Sequence, residues 1–497
     1  MTSVHSRLNF PPNSLILALD VGSSSVRAMI FDVDGVALDD VFVQQKYSLE
    51  TTSDGGSTIP ANSLWELLSF CINGALEQAG ERASRIAAVA TDTLVSNLLG
   101  VDAQGRPTTP IFTWADVRGG ELAGPWRAKL ESAGYSAAQY TQRTGCRIHT
   151  SYWPLRLVWL RQSDPALFER TAYWLTLGEW MLLRLFGERR VSASAASWTG
   201  LLNRHTLDWD ATVLATLPIR RDQLGAISGE PLQGLFGGWA DRWPALREAY
   251  WFPAVGDGAA SNLGAGCTDP ARIALSVGTS AALRIVVPGA PANVPDGLFA
   301  YRVDERRSLV GGALSNAGNL YAWLQRTLKL DSVDDLELQI GAIPPDAHGL
   351  TVLPFLAGER APGWNPHAQA VILGMTQNTT PPEIVRAGLE AVAYRMAQIA
   401  RRLAPLMASD AAFVASGAAI LHSPAWMQII ADVLGRPVYA TTETETTIRG
   451  ALALATGREA LPHLGPRYDP NPTASAIYDE AIARQRELYT KLFENDE

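Results

Sequence analysis

Apolar residues run from Leu15 to Leu19 and stop at Asp20. Val21 and Gly22 then lead into three hydroxyls, Ser23 to Ser25, before a second apolar run closes at Asp34-Gly35. Two β-forming runs around a small-residue turn predict a β-hairpin. Val36 to Val43 predicts a third strand. Ala61 to Ala79, with Leu64, Leu67, Leu68, Ile72 and Leu76 at three- and four-residue steps, predicts a helix, and Ile86 to Ala90 and Leu98 to Val101 are short strand-like runs. The alternation predicts a mixed α/β domain.

From Ser151 to Phe186 the pattern is helical and aromatic, with Trp153, Trp159, Trp174 and Trp180 among leucines, which predicts packing. Residues 187 to 250 mix Gly, Pro and Trp with short helical pieces such as Asp222 to Leu224, as expected of an irregular cap. A strand-like entry at Phe252 reaches Asp257 at a glycine turn and a run of small residues to Gly266. Ile273 to Val287 then repeats the opening hairpin, Asp20-Val-Gly-Ser-Ser answering to Ser276-Val-Gly-Thr-Ser. An echo of a strand-turn-strand unit near the midpoint predicts two lobes around a cleft. Further on, Leu309 to Leu314 and Ala411 to Ala415 predict strands. Ala317 to Leu328, the segment from Pro381 through Leu403, Pro424 to Leu434 and Ala474 to Phe493 predict helices, the last packing through Ile482, Tyr489 and Leu492.

The 497 residues are too many for one ordinary core, and 47% hydrophobic with 18% charged residues is a globular composition. A net charge of -9 argues against a general nucleic-acid binder. Cys71, Cys146 and Cys267 lack metal-ligand spacing and read as free thiols of a reducing compartment. Residues 1 to 13 contain no apolar signal core, and no apolar run approaches the roughly 20 residues of a membrane helix. These features predict a cytoplasmic protein that partners neither nucleic acid nor membrane.

The first hairpin carries the candidate chemistry. Gly22 permits close backbone approach, Ser23, Ser24 and the turn N–H groups suit oxyanions, Arg27 adds positive charge, and Asp20 suits a metal. That combination fits a metal-bound polyphosphate, although an ordinary hairpin turn reads the same way. No Walker loop occurs, which argues against a P-loop kinase.

In order, LALDVGSSSVRAMIFD, TWADVR, PAVGDGAASNLGAGC, LSVGTSAALR, LPFLAGERAPGWN and SGAAILHSPAWMQIIADVLGRPV are spread along most of the chain. Together they resemble the FGGY carbohydrate kinases. The segments at Trp114-Ala-Asp-Val-Arg118, Gly178 to Gly187, Gly256 to Asn262 and Gly358 to Trp364 look most like the gluconokinase branch. The resemblance implies an α/β fold of two actin-like ATPase, ribonuclease H-like domains around a central cleft, residues 14-265 and 266-497. It implies ATP and Mg2+, transfer of the γ-phosphoryl group to a primary hydroxyl of an open-chain sugar acid such as gluconate, and a homodimer as a family-level expectation. The alternatives are a xylulose, ribulose or polyol kinase of the same family, or, from another class, a nucleotide-dependent sugar sensor without catalysis.

Carried over residue by residue, the resemblance makes Asp257 the catalytic base. It puts phosphates between Gly22, Ser23, Ser24, Arg27 and the second turn, Gly278, Thr279 and Ser280, with Asp20 on the metal side. Adenosine falls to Ser416, Gly417 and Ala418. The sugar falls to Ser96, Asn97, Trp114, Asp116, Arg118, His149 and Asp257, with Trp114 and His149 also readable as packing residues. Ser96 stands where relatives usually present a His, so either the substrate differs or Asn97 and another residue, His149 or Arg147, fill that space. A substrate carboxylate calls for a cation, and Arg147, Arg118 and Arg360 all qualify, unless Arg360 is held by Glu359 or another acid. A hinge for lobe closure is expected near Gly264 to Ala271.

Overall fold

A computed structural model describes residues 10–330 and 332–494. Residues 1–9, part of the stretch read for a signal core, lie outside the described residues.

The opening pattern folds as a meander: β1 (Leu15–Val21), β2 (Ser25–Asp32) and β3 (Ala37–Lys46) pair antiparallel. After α1 (Ala61–Ala79), β4 (Ile86–Thr93) joins the other edge of β1 in parallel. Two short strands much later in the chain, β5 (Tyr250–Trp251) and β6 (Val255–Gly256), continue the sheet beyond β4, both parallel to it. All seven residues of β1 are buried. Leu15, Leu17, Leu19 and Val21 share a core with Leu64, Leu68 and Ile72 of α1, while Ile16 and Ala18 face Ile448, Ala451 and Leu452. Side chains alternate along a strand, so Asp20 points with Ile16 and Ala18.

The second sheet repeats the plan. After α2 (Asp257–Gly264), the hairpin β7 (Arg272–Val277) and β8 (Ala281–Pro288) continues antiparallel into β10 (Arg307–Leu314), with β9 (Phe299–Arg302) outside it. α3 (Pro381–Leu403) is followed by β11 (Ala412–Ser416), parallel to β7. α4 (Pro424–Leu434) is followed by β12 (Val438–Thr441), parallel to β11. α5 (Thr446–Thr456), the edge strand β13 (Leu464–Tyr468) and α6 (Pro472–Phe493) complete it. A three-stranded meander extended by parallel strands, occurring twice, is the architecture expected of the actin-like ATPase plan. The two hairpins match up to the turn and then diverge. Val21 pairs with Val26 around four residues, and Val277 pairs with Ala281 around three.

The aromatic segment does pack. Trp153, Trp174 and Trp180 are fully buried, and Tyr152, Trp153 and Trp198 share one core with Val286, Phe299, Tyr301 and Leu309 of the second sheet. The three cysteines are buried and free. In α6, Ile482 and Tyr489 are buried but Leu492 is 47% exposed, which corrects the packing role expected for it. At 3.6 residues per turn it lies about 80° around the helix from Ile482. Among the described residues no helix is long and apolar enough to cross a membrane.

Candidate active site

The carboxyl ends of the parallel strands β1, β4 and β6 deliver three acids to one place: Asp20, Asp92 and, one residue past β6, Asp257. Asp20 is buried, yet it is well bonded. Arg27, its partner across the β1–β2 hairpin, forms an ion pair with it, and the Thr447 hydroxyl of α5 donates to it at 2.8 Å. Arg27 also reaches Glu445, just before α5, at 2.5 Å. The guanidinium expected to contact phosphate therefore ties the first sheet to the second lobe. The turn itself is open: Gly22 N–H donates to the Ser25 carbonyl at 3.0 Å, Ser24 is exposed and Ser23 half-exposed.

The second turn has the same closure, Gly278 N–H donating to the Ser280 carbonyl at 2.9 Å, with Gly278 and Thr279 exposed. Its carbonyls accept from the N–H groups of Gly318 and Asn319, both at 3.0 Å. Ser416 lies in register with Ser276. Gly417 follows at φ 99°, where a Cβ would come within 2.3 Å of the Val277 carbonyl, so glycine is required there. Ala418 is exposed. The residues assigned to the nucleotide on the second lobe thus gather at the ends of β7 and β11.

Asp257 opens α2, its carboxylate accepting the Gly258 N–H at 2.6 Å. Burial pushes its pKa up to about 6, with Asp20 raising it further, and the cation of Arg284 on β8 opposes the rise. A carboxylate so poised is ionised at neutral pH and still basic enough to take a hydroxyl proton. A side chain at position 258 would strike Trp198 at 3.1 Å and come within 3.7 Å of the Arg284 guanidinium, so glycine keeps this corner open.

On the sugar side several expected ligands are engaged elsewhere. Asn97 donates to the Leu94 carbonyl and accepts the Leu177 N–H, both at 2.5 Å, which leaves its amide anchoring loops. The Ser96 hydroxyl donates to the Trp198 carbonyl at 2.9 Å, with the backbone at φ 56°. Asp116 is fully buried, accepts the Ser57 N–H at 3.0 Å and forms a two-point ion pair with Arg118, whose guanidinium covers Trp159. Arg147 pairs with Asp296 at 3.2 Å.

His149 and Trp114 both lie beside Arg360 of the second lobe. The His149 Nδ1 accepts the Ser151 N–H at 3.1 Å, which assigns its proton to Nε2, and burial with the nearby Arg360 and Arg156 cations holds its pKa down to about 4. The Arg360 guanidinium lies 5.5 Å over the Trp114 ring. Glu359 does not hold Arg360. It pairs with Arg395 and accepts the Tyr489 hydroxyl at 2.6 Å, while among the described residues the Arg360 guanidinium donates only to the Leu314 carbonyl, at 2.9 Å.

The sequence reading did not single out Asp92, Arg284, Glu445 or Thr447. The twofold hairpin echo was the available signal for Arg284, which stands in the second strand of the second hairpin as Arg27 does in the first. Nothing in the TETETTIRG string marks a helix start beside Asp20. One further cluster, Asp346, His348 and Glu390, is compact enough for a metal ion among the described residues. Arg386, Tyr394, Tyr478 and His348 already satisfy Glu390, and Arg484 pairs with Asp346.

Residues 15–230 match the N-terminal domain, and residues 273–457 the C-terminal domain, of the FGGY family of carbohydrate kinases. The chain is 25% identical over 463 residues to a gluconokinase of Bacillus subtilis, covering 90% of this chain and 88% of that one. It is 30% identical over 460 residues to a glycerol kinase of Alkalilimnicola ehrlichii, covering 88% and 89%. Its fold superposes on a gluconate kinase from Lactobacillus acidophilus with a TM-score of 0.87 at 24% identity, covering 96% of this chain and 98% of the other. With both halves matched in order and an acid at the head of α2 between two hairpin turns, the chain belongs to the FGGY family of carbohydrate kinases and is an ATP-dependent sugar kinase.

Proposed function

We propose that this kinase transfers the γ-phosphoryl group of ATP to a primary hydroxyl of an open-chain sugar acid, gluconate being the preferred acceptor. The observation that carries this reading is Arg360. Of the three cations weighed for a substrate carboxylate, Arg118 is committed to Asp116 and Arg147 to Asp296. Arg360 has no carboxylate within ion-pair distance among the described residues, and burial pulls its pKa down. A half-buried guanidinium without a counter-charge is costly, and an anionic ligand offsets that cost where a neutral polyol cannot.

Each side chain then has a role. Arg360 takes the carboxylate over the Trp114 ring, the Nε2–H of His149 donates to a hydroxyl, and Asp257 accepts the proton of the attacking hydroxyl. Such a base contributes roughly 10²- to 10⁴-fold. Arg284 holds Asp257 ionised. The turns at Gly22–Ser24 and Gly278–Ser280 bind phosphates through backbone N–H groups and hydroxyls, and Ser416, Gly417 and Ala418 receive the adenosine. Lobe closure about the two-lobe division excludes water from the γ-phosphate. Asp20 and its acidic neighbours form an oxygen-only donor set with orphaned buried carboxylate oxygens on Asp92, which fits a hard divalent cation such as Mg2+. When bound, such a cation neutralises charge on the transferring group.

The 30% identity to a glycerol kinase keeps a polyol kinase as the second reading. ADP release measured across gluconate, other aldonates, xylulose, ribulose and glycerol separates the two. The proposal expects kcat/KM highest on gluconate and a loss of roughly 10- to 100-fold there in Arg360→Met, the worth of one charge-assisted hydrogen bond. Fast turnover of glycerol or xylulose with none on gluconate overturns it.

A further inference from the structure

Asp92 ends β4 as the register partner of Asp20 on β1 and of Val255 on β6, two residues before Asp257. In-register residues of neighbouring parallel strands point to the same face, and the preceding residues of that face, Ala18, Ala88 and Ala90, pack against Ile448, Ala451 and Leu452 of α5. Asp92 therefore stands between the two other acids of the site, under the helix that supplies Thr447.

The environment of Asp92 differs from that of its neighbours. Its side chain is 0% exposed and neither carboxylate oxygen has a hydrogen-bond partner. Asp20 holds Arg27 and Thr447, and Asp257 holds the Gly258 N–H. Asp92 and Asp20 are direct register partners on adjacent parallel strands, so their carboxyl groups stand side by side on one face, and neither ionised group carries a donor for the other. Arg27, the cation that faces this corner, has its guanidinium ends committed to Asp20 and Glu445. Two facing carboxylates in a buried site require a positive species between them, and oxygen pairs of this kind are what a hard divalent cation binds.

We propose that Asp92 is a second carboxylate ligand, together with Asp20, for the divalent cation that accompanies the nucleotide. This rests on the kinase reading above in assigning the cation to Asp20. Anchoring by two carboxylates on adjacent rigid strands gives the protein its own hold on the cation, in addition to the hold the phosphates provide.

The test uses the full chain and Mn2+ as the probe, following the electron paramagnetic resonance signal of free Mn2+ with and without ADP. Asp92→Asn is expected to weaken Mn2+ binding at least tenfold in the ADP complex, while metal-free ADP binding stays within twofold. Asp92→Ser, checked by near-ultraviolet circular dichroism for native packing, serves as the second variant should the first fail to fold. Mn2+ affinity within threefold of the parent protein in a folded Asp92 variant overturns the proposal, leaving a shared proton as the species between the carboxylates. No acceptor sugar enters this measurement. Failure of the sugar-acid reading and failure of the cation assignment therefore appear in different experiments.

Discussion

The crossing of α2 and α5 allows a quantitative prediction for Gly450→Ala. A Cβ at Gly450 would lie 1.8 Å from the Ala260 carbonyl oxygen, and one at Gly264 would lie 1.8 Å from that of Thr446. Both obstacles are backbone, which cannot rotate aside, so the helices must part. Reaching even 3.0 Å, below which real contacts essentially never fall, opens the crossing by about 1.2 Å. If α5 takes that movement, the Thr447–Asp20 hydrogen bond stretches from 2.8 Å to as much as about 4.0 Å, beyond bonding distance; if α2 takes it, Asp257 at the head of α2 is displaced by the same amount. A misplacement of about 1 Å can cost on the order of 10²-fold in rate, and overpacking costs about 1–3 kcal/mol in stability. Coupled ADP-release kinetics and thermal melts should therefore give a kcat/KM lower by about 10²-fold and a lower Tm. Gly341→Ala, whose Cβ meets only Ala425 at 3.9 Å, is the control and should lose neither. Gly450→Ala with activity within threefold and an unchanged Tm would refute the reasoning.

Asp257→Asn should remove 10²- to 10⁴-fold of turnover with an unchanged circular dichroism spectrum, and near-normal turnover would sink its role as base. As the proposed base, Asp257 would act ionised, and burial pushes it up to about 6, so kcat/KM should rise with pH through about 6 and level off above. Arg284→Met removes the cation that opposes that rise, so the acid limb should move to higher pH; a stationary limb counts against the pairing. Glu179, buried in α-helix Leu177–Phe186 and pushed up to about 7 by burial, favours the folded state when protonated. Its contribution is full below the usual carboxylate range and is lost as pH rises through about 7, a change of at most about 3 kcal/mol. Glu179→Gln should flatten that decline in denaturant melts.

The hairpins, α1, α3 and α4 were legible because each is a long apolar pattern with clear punctuation: Ala61–Ala79 and Pro424–Leu434 fall where the periodicity puts them. The α5 helix was not legible. Its Thr-Glu approach and central Gly450 give no helix-start signal, its apolar stripe of Ile448, Ala451, Leu452 and Ala455 is short and made mostly of small residues, and its helical state comes from packing against α2 and β4, which lie far away in sequence. At the candidate site, Asp20, Asp257 and the two glycine turns could be picked out because each follows a strand at a small-residue turn. What the sequence does not reveal is where a polar side chain is bonded within the scaffold. Nothing local distinguishes the Asn97 amide, committed to Leu94 and Leu177, from a sugar ligand, and the partners that occupy it are up to 80 residues away. Conversely, nothing local in the sequence shows that Arg395 and Tyr489 occupy Glu359 and so leave Arg360 without that partner.

The central claim, a cleft that grips an anionic sugar at Arg360 and presents its primary hydroxyl to Asp257, is tested most directly by a crystal structure with gluconate and a non-hydrolysable ATP analogue. The account predicts density with the carboxylate on Arg360 over Trp114, a primary hydroxyl within hydrogen-bond distance of Asp257, and the triphosphate between the Gly22 and Gly278 turns. A gluconate bound with its carboxylate away from Arg360, or with no hydroxyl near Asp257, would contradict it.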